Sequence, residues 1–224
     1  MRLYKNFSEA VSEIRRDVKE MGITVHTRTY QNKYISDDDN FESLELQDYV
    51  YSVTGGHKSE LNPTQPWADF EFAERIGEAL VNPGEAWKTR SEVWDQFINV
   101  EGKFDYTYSQ RMGPRIFSLV HTLSLDPSTR QAFLSVWEPD DLGRAGGSVR
   151  IPCTLGYQFQ HRNGALNITY LQRSADVATH FQNDIWMARS LQEFIAGALG
   201  WEIGRYTHWI GSLHVFKKDV ADVF

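Results

Sequence analysis

A β-hairpin signal in the second half of the chain constrains the fold more than any other feature of the sequence. Residues 154–160 and 166–172 are two strand-like runs, and Arg162-Asn163-Gly164-Ala165 joins them. Asn-Gly between two alternating runs is the strongest short-range signal for a hairpin. The sequence therefore predicts an antiparallel strand pair, with Cys153 opening the first strand and Arg173 closing the second.

Apolar residues at helical spacing predict four helices around this hairpin. The first follows Asn6, which forms a capping box with Glu9, and it ends at Gly22. Two more contain residues 70–80, ended by Asn82-Pro83-Gly84, and residues 116–123, ended by Asp126-Pro127. The last contains residues 185–198, and a carboxylate at its N-terminus, Asp184, would stabilise it as a cap.

Further strands are predicted at residues 23–29, 132–136 and 205–210. Residues 36–64 are polar and are expected to form loops around one short element at 49–53. The acidic run Asp37-Asp38-Asp39-Asn40 lacks the spaced glycine and distal glutamate of a calcium loop, so it predicts a solvated turn and no metal site. With 224 residues, 41% of them hydrophobic, residues 1–224 can bury one core, and we expect a single domain.

Charge and cysteine content limit the function. A net charge of −7 argues against nucleic-acid binding, because neutralising a phosphate backbone needs a basic face. No apolar run of about 18 residues and no secretory leader is found, so we expect a cytoplasmic protein without a membrane partner. Cys153 is the single cysteine, which excludes an internal disulfide and leaves buried filler or a reactive thiol.

Other candidate residues are individually weak. Arg28, in a predicted strand, and Arg130, in a predicted turn, could each bind an anion, although a solvated surface role fits Arg28 equally well. An aromatic-rich stretch, residues 94–108, predicts core or the wall of a pocket for a flat ligand.

The order of short motifs from about Phe70 onward resembles thymidylate synthase, with the spacings between motifs preserved. The resemblance implies an α/β fold of the mixed α+β kind, with a large mixed sheet flanked by helices. It also implies a homodimer in which sheets stack back to back. The motifs are Asp126-Pro127-Ser128-Thr129-Arg130, Ser135-Val136-Trp137, Pro152-Cys153, Gln158-Phe159, Gln172-Arg173-Ser174-Ala175-Asp176, Asn183-Asp184 and His214-Val215-Phe216.

The resemblance assigns Cys153 as the thiolate that adds to C6 of a pyrimidine nucleoside monophosphate. The addition makes C5 nucleophilic toward the one-carbon unit of 5,10-methylenetetrahydrofolate, the implied co-substrate. Arg173 matches an arginine that binds the nucleotide phosphate close to the thiol, whose pKa it would lower. Ser174 would share the phosphate, and Arg130 would reach the partner's site across the dimer. Because Gln131 replaces a second arginine of the family, Arg28 could compensate.

The remaining roles also follow from matching positions. Glu71 is the first choice for the catalytic glutamate, because its distance from Trp94 fits the family within one residue, and Glu74 is the alternative. Tyr108 matches the active-site tyrosine, and Trp94 is expected beside the folate. Contacts to the nucleotide are implied for Gln172, Asp176, Asn183 and His214, and Asp176 would also contact the folate.

Asp184 departs from thymidylate synthases, which have asparagine at this position, and resembles the deoxycytidylate hydroxymethylases of bacteriophages. Uracil offers N3–H as a donor and O4 as an acceptor, whereas cytosine offers the N4 amino group and the N3 acceptor. A carboxyl group accepts from N4 and can share a proton with N3. Thr154 after Cys153 and the run Gly211-Ser212-Leu213-His214-Val215 agree with the hydroxymethylases.

The expected reaction is therefore hydroxymethylation at C5 of dCMP, in which water captures the intermediate that a thymidylate synthase would reduce. CMP stays open, because Phe216 replaces a tyrosine that contacts the 3′-hydroxyl. A methylase of cytidylate or dUMP and a non-catalytic nucleotide-binding relative are the alternatives. The sequence ends eight residues after Phe216, whereas relatives continue, so we expect either a shorter closure over folate or different cofactor chemistry.

Overall fold

The computed structural model describes residues 1–30, 33–34, 38–144 and 149–224. Within these residues, one mixed sheet contains seven strands: β1 Arg2–Tyr4, β2 Ile23–His26, β5 Glu42–Val53, β6 Phe133–Ser135, β7 Thr154–Arg162, β8 Ala165–Asp176 and β9 Glu202–Phe216. Their order is β1-β5-β9-β8-β7-β6, with β2 also paired to β5. β8 and β9 are parallel, whereas β9 with β5 and β8 with β7 are antiparallel. The remaining two strands, β3 Thr29–Tyr30 and β4 Lys33–Tyr34, pair with each other as a separate ribbon.

Helices flank the sheet, which confirms the expected fold class. The first helix packs on β5, the long helix after residue 180 packs on β8 and β9, and the helix that starts at Tyr108 packs on β6. Fully buried aromatic rings, including Phe7, Tyr51, Phe181 and Tyr206, fill the space between helices and sheet. The helices are α1 Phe7–Met21, α2 Trp67–Ile76, α3 Ser91–Trp94, α4 Tyr108–Leu125, α5 Asp141–Arg144, α6 Phe181–Leu199 and α7 Val220–Val223.

The predicted hairpin is confirmed, with Arg162 paired to Ala165. Asn163 (φ 55°) and Gly164 (φ 81°) both adopt the left-handed backbone that a two-residue turn requires. The second strand is longer than expected, because β9 pairs with it in parallel as far as Asp176. Arg173 therefore lies inside β8 and does not close it, and Cys153 lies directly before β7.

The largest correction concerns residues 36–64, where the short element predicted at 49–53 is the second part of a 12-residue strand, β5, that also takes in residues 42–48 of the predicted loop. Its first half is polar, but it lies between β2 and β9, and pairing on both sides outweighs local polarity. Asp48 (φ 50°) adopts the left-handed backbone inside β5 without shifting the register, since Gln47 pairs with Ser212 and Tyr49 with Ile210. Of the acidic run, Asp37 lies outside the described residues, and Asp38 caps a turn by accepting from Asn40 N at 3.0 Å.

Two helix boundaries also differ from the predictions. α2 ends at Ile76, with Gly77 as its cap, and does not continue to residue 80. α4 begins at Tyr108, where Thr107 and Gln110 form a capping box that periodicity over residues 116–123 did not reveal. None of the helices in the described parts of the chain is long and apolar enough to cross a membrane.

Candidate active site

Arg173 holds the loop that carries Cys153. Its Nε donates to Pro152 O at 3.0 Å, and its Nη2 donates to Ile151 O at 3.2 Å and lies 3.7 Å from Cys153 Sγ. Burial raises the pKa of the Cys153 thiol above its usual value, although Arg173 acts in the opposite direction. The expected arginine is therefore beside the thiol and acts to lower its pKa as predicted, but desolvation outweighs the guanidinium and the net pKa is raised.

Asp184 lies in the first turn of α6, but its side chain does not cap the helix. The N-cap residue of α6, His180, makes no side-chain capping hydrogen bond. Asp184 Oδ2 accepts a hydrogen bond from Gln172 Nε2 on β8 at 2.7 Å. Burial raises the pKa of Asp184 to about 6, and the Gln172 hydrogen bond opposes the rise. The charge of Asp184 also acts on the Cys153 thiol, so the fold brings these two predicted site residues together.

Thr154 connects the helical side of the site to the sheet. Tyr108 Oη lies 3.2 Å from Thr154 Oγ1, which in turn lies 2.8 Å from Tyr170 Oη. The Arg75 guanidinium lies 3.8 Å from the centre of the Tyr108 ring. Burial raises the pKa of Tyr108 well above its usual value, so its hydroxyl remains a proton donor. Tyr108 is thus fixed one hydrogen bond from the residue that follows Cys153.

The structure separates the two glutamate candidates. Glu74 Oε1 accepts from the backbone amides of Glu85 at 2.6 Å and Ala86 at 2.9 Å, so it holds a loop. Glu71 Oε1 accepts from Arg75 Nε at 2.9 Å, and no backbone amide bonds with it among the described residues. Both glutamates border one cavity, and a catalytic role for Glu71 stays a prediction. The cavity is lined by Trp67, Glu71, Glu74, Pro83, Trp87, Trp94, Phe104, Tyr106, Thr107, Tyr108, Ser109 and Arg150.

Aromatic rings form one wall of this cavity. Trp94 stacks on Trp67 with ring centres 5.8 Å apart and lies 5.6 Å from His180. The Arg150 guanidinium lies 5.0 Å from the Trp94 ring and 4.4 Å from the Phe97 ring. Burial, followed by the positive charge of Arg90, lowers the pKa of His180 to about 3, so this imidazole is neutral. The aromatic-rich stretch is thus both core and pocket wall.

Two of the residues predicted to contact the nucleotide make hydrogen bonds within the protein. Gln172 is 1% exposed, and its amide lies between Asp184 and His208 Nε2, which is 3.0 Å from Gln172 Oε1. Asn183 Oδ1 accepts from Thr64 N at 2.7 Å. Buried amides whose hydrogen bonds are made internally position neighbouring residues, and direct contact of Gln172 and Asn183 with a nucleotide stays a prediction.

Asp176 and His214 lie side by side where β8 and β9 end. They are register partners, as are Ser174 and Ser212 two residues earlier. Asp176 Oδ1 accepts from Ala178 N at 2.9 Å, which orients the carboxylate. His214 and Ser174 are partly buried, so both side chains remain accessible at this end of the sheet.

Arg28 and Arg130 are exposed. Arg28 follows β2, and Arg130 lies in the turn between α4 and β6, where its carbonyl accepts from Gln158 Nε2 at 3.3 Å. Their contacts with a phosphate or a partner subunit stay predictions.

Four polar residues of this region were not predicted from the sequence. Arg75 had a usable signal, because it lies four residues after Glu71 on a helix. Arg150, His180 and His208 carried none, since only the fold brings them beside Trp94 and Gln172.

A family model described as thymidylate synthase matches residues 79–224. The chain belongs to the thymidylate synthase family. Cys153, Arg173 and Asp184 lie inside the matched range, whereas Glu71 precedes it. The resemblance expected from the motifs is thereby confirmed at the level of the family.

Individual thymidylate synthases support this membership. The enzymes of Bacillus licheniformis and Bacillus phage phi3T are each 28% identical over 142 residues, which cover 58% of this chain and 50% of theirs. The chain thus spans about half the length of these curated relatives. The thermostable thymidylate synthase A of Bacillus subtilis superimposes with a TM-score of 0.75 at 21% identity, covering 98% of this chain and 83% of that one. This likeness shows the thymidylate synthase fold.

Proposed function

We propose that the protein is a pyrimidine nucleotide C5 hydroxymethyltransferase that acts on a cytidine monophosphate, with dCMP favoured over CMP. The observation that carries the proposal is Asp184, a carboxylate held by Gln172 at the position where thymidylate synthases have asparagine. A carboxyl group complements the amino group at N4 and the acceptor at N3 of cytosine. Its pKa of about 6 lets it exist in both protonation states near neutral pH.

Cys153 is the proposed nucleophile. Its sulfur forms a bond to C6 of the pyrimidine after losing its proton, and C5 gains the electron pair needed to attack an electrophile. Because burial disfavours the thiolate, Arg173 at 3.7 Å from Sγ is the group that stabilises the charge before attack. Arg173 and Ser174 would also bind the phosphate, together with Arg28 and, across a homodimer, Arg130 of the second copy.

The residues present fit a folate co-substrate. Trp94 and Trp67 offer stacked flat surfaces, and Arg150 and Glu71 supply charge at the same cavity. Bound 5,10-methylenetetrahydrofolate supplies one carbon at the oxidation level of formaldehyde. Tyr108 and Glu71 would move protons at C5 and toward the departing amine, and Glu71 would orient the water. Water adds its hydroxyl to the exocyclic methylene carbon, Cys153 leaves C6, and the products are a 5-hydroxymethyl nucleotide and tetrahydrofolate.

The proposal is tested by tritium release from dCMP labelled at C5, because loss of this hydrogen requires attack at C6. The protein is incubated with methylenetetrahydrofolate and dCMP, CMP or dUMP, and products are identified by mass. We expect release from dCMP and a 5-hydroxymethyl product with tetrahydrofolate. If dUMP alone reacts and yields dTMP with dihydrofolate, the protein is the second candidate, a methylase. The names of the relatives favour this candidate. Binding of dCMP without tritium release would indicate a non-catalytic relative.

A further inference from the structure

A buried hydrogen-bonded chain leads from the centre of the sheet to Asp184. Tyr51 Oη lies 3.1 Å from His208 Nδ1, His208 Nε2 lies 3.0 Å from Gln172 Oε1, and Gln172 Nε2 lies 2.7 Å from Asp184 Oδ2. Tyr51 on β5, His208 on β9 and Gln172 on β8 are at most 1% exposed. The chain therefore crosses three adjacent strands without access to water.

The hydrogen bond from Gln172 to Asp184 determines the hydrogen-bonding role of His208 and of the Tyr51 hydroxyl. Gln172 has one donating and one accepting end, so an amide that donates to Asp184 must accept from His208. His208 consequently carries its proton on Nε2, and its Nδ1 accepts from the Tyr51 hydroxyl. Burial lowers the pKa of His208 well below its usual value, so the ring stays neutral and keeps this single tautomer.

We propose that His208 is a positioning residue that locks the Gln172 amide and thereby decides which oxygen of Asp184 can carry a proton. Oδ2 faces an N–H of Gln172 and cannot donate toward it, so a proton on Asp184 resides on Oδ1. Neutral Asp184 then donates from Oδ1 to N3 of the base, and ionised Asp184 accepts from the amino group at N4. The proposal rests on the cytidylate function above and assigns its selectivity to a residue outside the pocket.

Loss of the His208 donor would release the amide. If the Gln172 amide rotates, its Oε1 faces Asp184. This oxygen repels the ionised carboxylate and accepts a hydrogen bond from the neutral carboxyl group. The proton would then move to Oδ2, away from the base. Both effects favour the neutral form of Asp184, and Oδ1, which faces the base, no longer carries the proton.

The effect of His208 on Asp184 can be separated from the effects of the charged groups around Asp184. The groups whose charges act on it are Arg75 on α2, Asp176 on β8 and Arg90 before α3, and Cys153 lies close enough to respond to its charge. The neighbouring phenols Tyr51, Tyr108, Tyr157, Tyr170 and Tyr206 have raised pKa values and stay neutral. A neutral His208 adds no charge of its own, so a substitution there reaches Asp184 through Gln172.

The first measurement does not depend on catalysis. The titration of the Asp184 carboxyl carbon is followed by ¹³C NMR and assigned with Asp184→Asn. We expect His208→Phe, which keeps a flat ring against Tyr170, to raise the apparent pKa by about one unit, as loss of a hydrogen bond to a charged group predicts. His208→Gln retains an N–H donor and should titrate like the wild type. His161→Phe, in a histidine stacked 4.0 Å from Trp201, is the matched control.

The second measurement is the ratio of tritium release from dCMP to that from dUMP. We expect His208→Phe to lower this ratio about tenfold and His208→Gln to restore it. Should His208→Phe not fold, His208→Met removes the same donor with a flexible side chain.

An Asp184 titration that is the same in the donor-free variant and the wild type would overturn the proposal. If the wild type releases tritium from neither nucleotide, the cytidylate function fails, while the NMR titration still decides the role of His208.

Discussion

Gln172 and Asp184 join the centre of the sheet to the first turn of α6 through a 2.7 Å hydrogen bond. The bond turns a carboxylate that could have capped a helix into one whose orientation is set by β8. Because a carboxylate that accepts from a buried amide is both oriented and partly stabilised, the residue proposed to recognise the base is oriented before any nucleotide binds.

Asp184→Asn should exchange the base preference. An amide oriented to donate to O4 and to accept from N3–H of uracil presents the wrong groups to N4 and N3 of cytosine. We expect the ratio of tritium release from dCMP to release from dUMP to fall by about 10- to 100-fold, the effect of one or two unsatisfied buried groups. Asp222→Asn, at an exposed site near the C-terminus, is the control and should leave the ratio unchanged.

Asp184 should also make stability depend on pH. Its pKa is about 6 in the folded protein against a usual 3.8, so the folded state binds more protons between these values. Stability therefore falls as pH rises through this window and levels off above pH 6. Asp184→Asn removes the titration and should be more stable than wild type at pH 7 by at most about 3 kcal/mol. Urea unfolding at pH 4.5 and 7 checks this, and a difference independent of pH would contradict it.

Arg173→Met should slow alkylation of Cys153. Burial already raises the thiol pKa, and removing the guanidinium raises it further, so less thiolate is present at a given pH. We expect iodoacetamide to react about three- to tenfold more slowly at pH 8. Arg205→Met, on the exposed part of β9, is the matched control. An unchanged rate would show that Arg173 does not support the thiolate.

Glu71 and Glu74 should separate activity from stability. Glu74→Ala removes two backbone hydrogen bonds and should lower the free energy of unfolding by about 1–3 kcal/mol, while the folded variant still releases tritium. Glu71→Gln keeps a partner for Arg75 and should reduce release by about 100-fold or more with a smaller stability change. Chemical unfolding and tritium release on the same preparations distinguish the two, and the reverse pattern would exchange their roles.

Two glycine substitutions test the hairpin turn against a helix. Gly164 has φ 81°, so Gly164→Ala should destabilise the protein by about 1–2 kcal/mol although no atom lies within 4 Å of the added methyl group. Gly197 is helical and equally unobstructed, so Gly197→Ala should stabilise it by about 0.5–1 kcal/mol. Thermal unfolding of both variants measures the opposite signs, and equal signs would rule out the backbone explanation.

Local patterns were sufficient for much of the fold. The hairpin at Asn163-Gly164, the cap of α1 at Asn6 and the body of α6 were all predictable, because each depends on neighbouring residues along the chain. The first half of β5 was not, because its polar residues become a strand only through pairing with β2 and β9.

Motif order and residue type were enough to indicate the family, the lone thiol at Cys153 and the unusual carboxylate at Asp184, because both can be read along the chain. The burial of these groups and their hydrogen-bond partners became visible only in the folded protein. Burial outweighs Arg173 in its effect on the pKa of the Cys153 thiol. Glu74 accepts hydrogen bonds from a loop, and His208 forms a hydrogen bond with Gln172. The reason is physical: desolvation and hydrogen-bond partnership depend on residues far apart in the chain, and no local pattern records them.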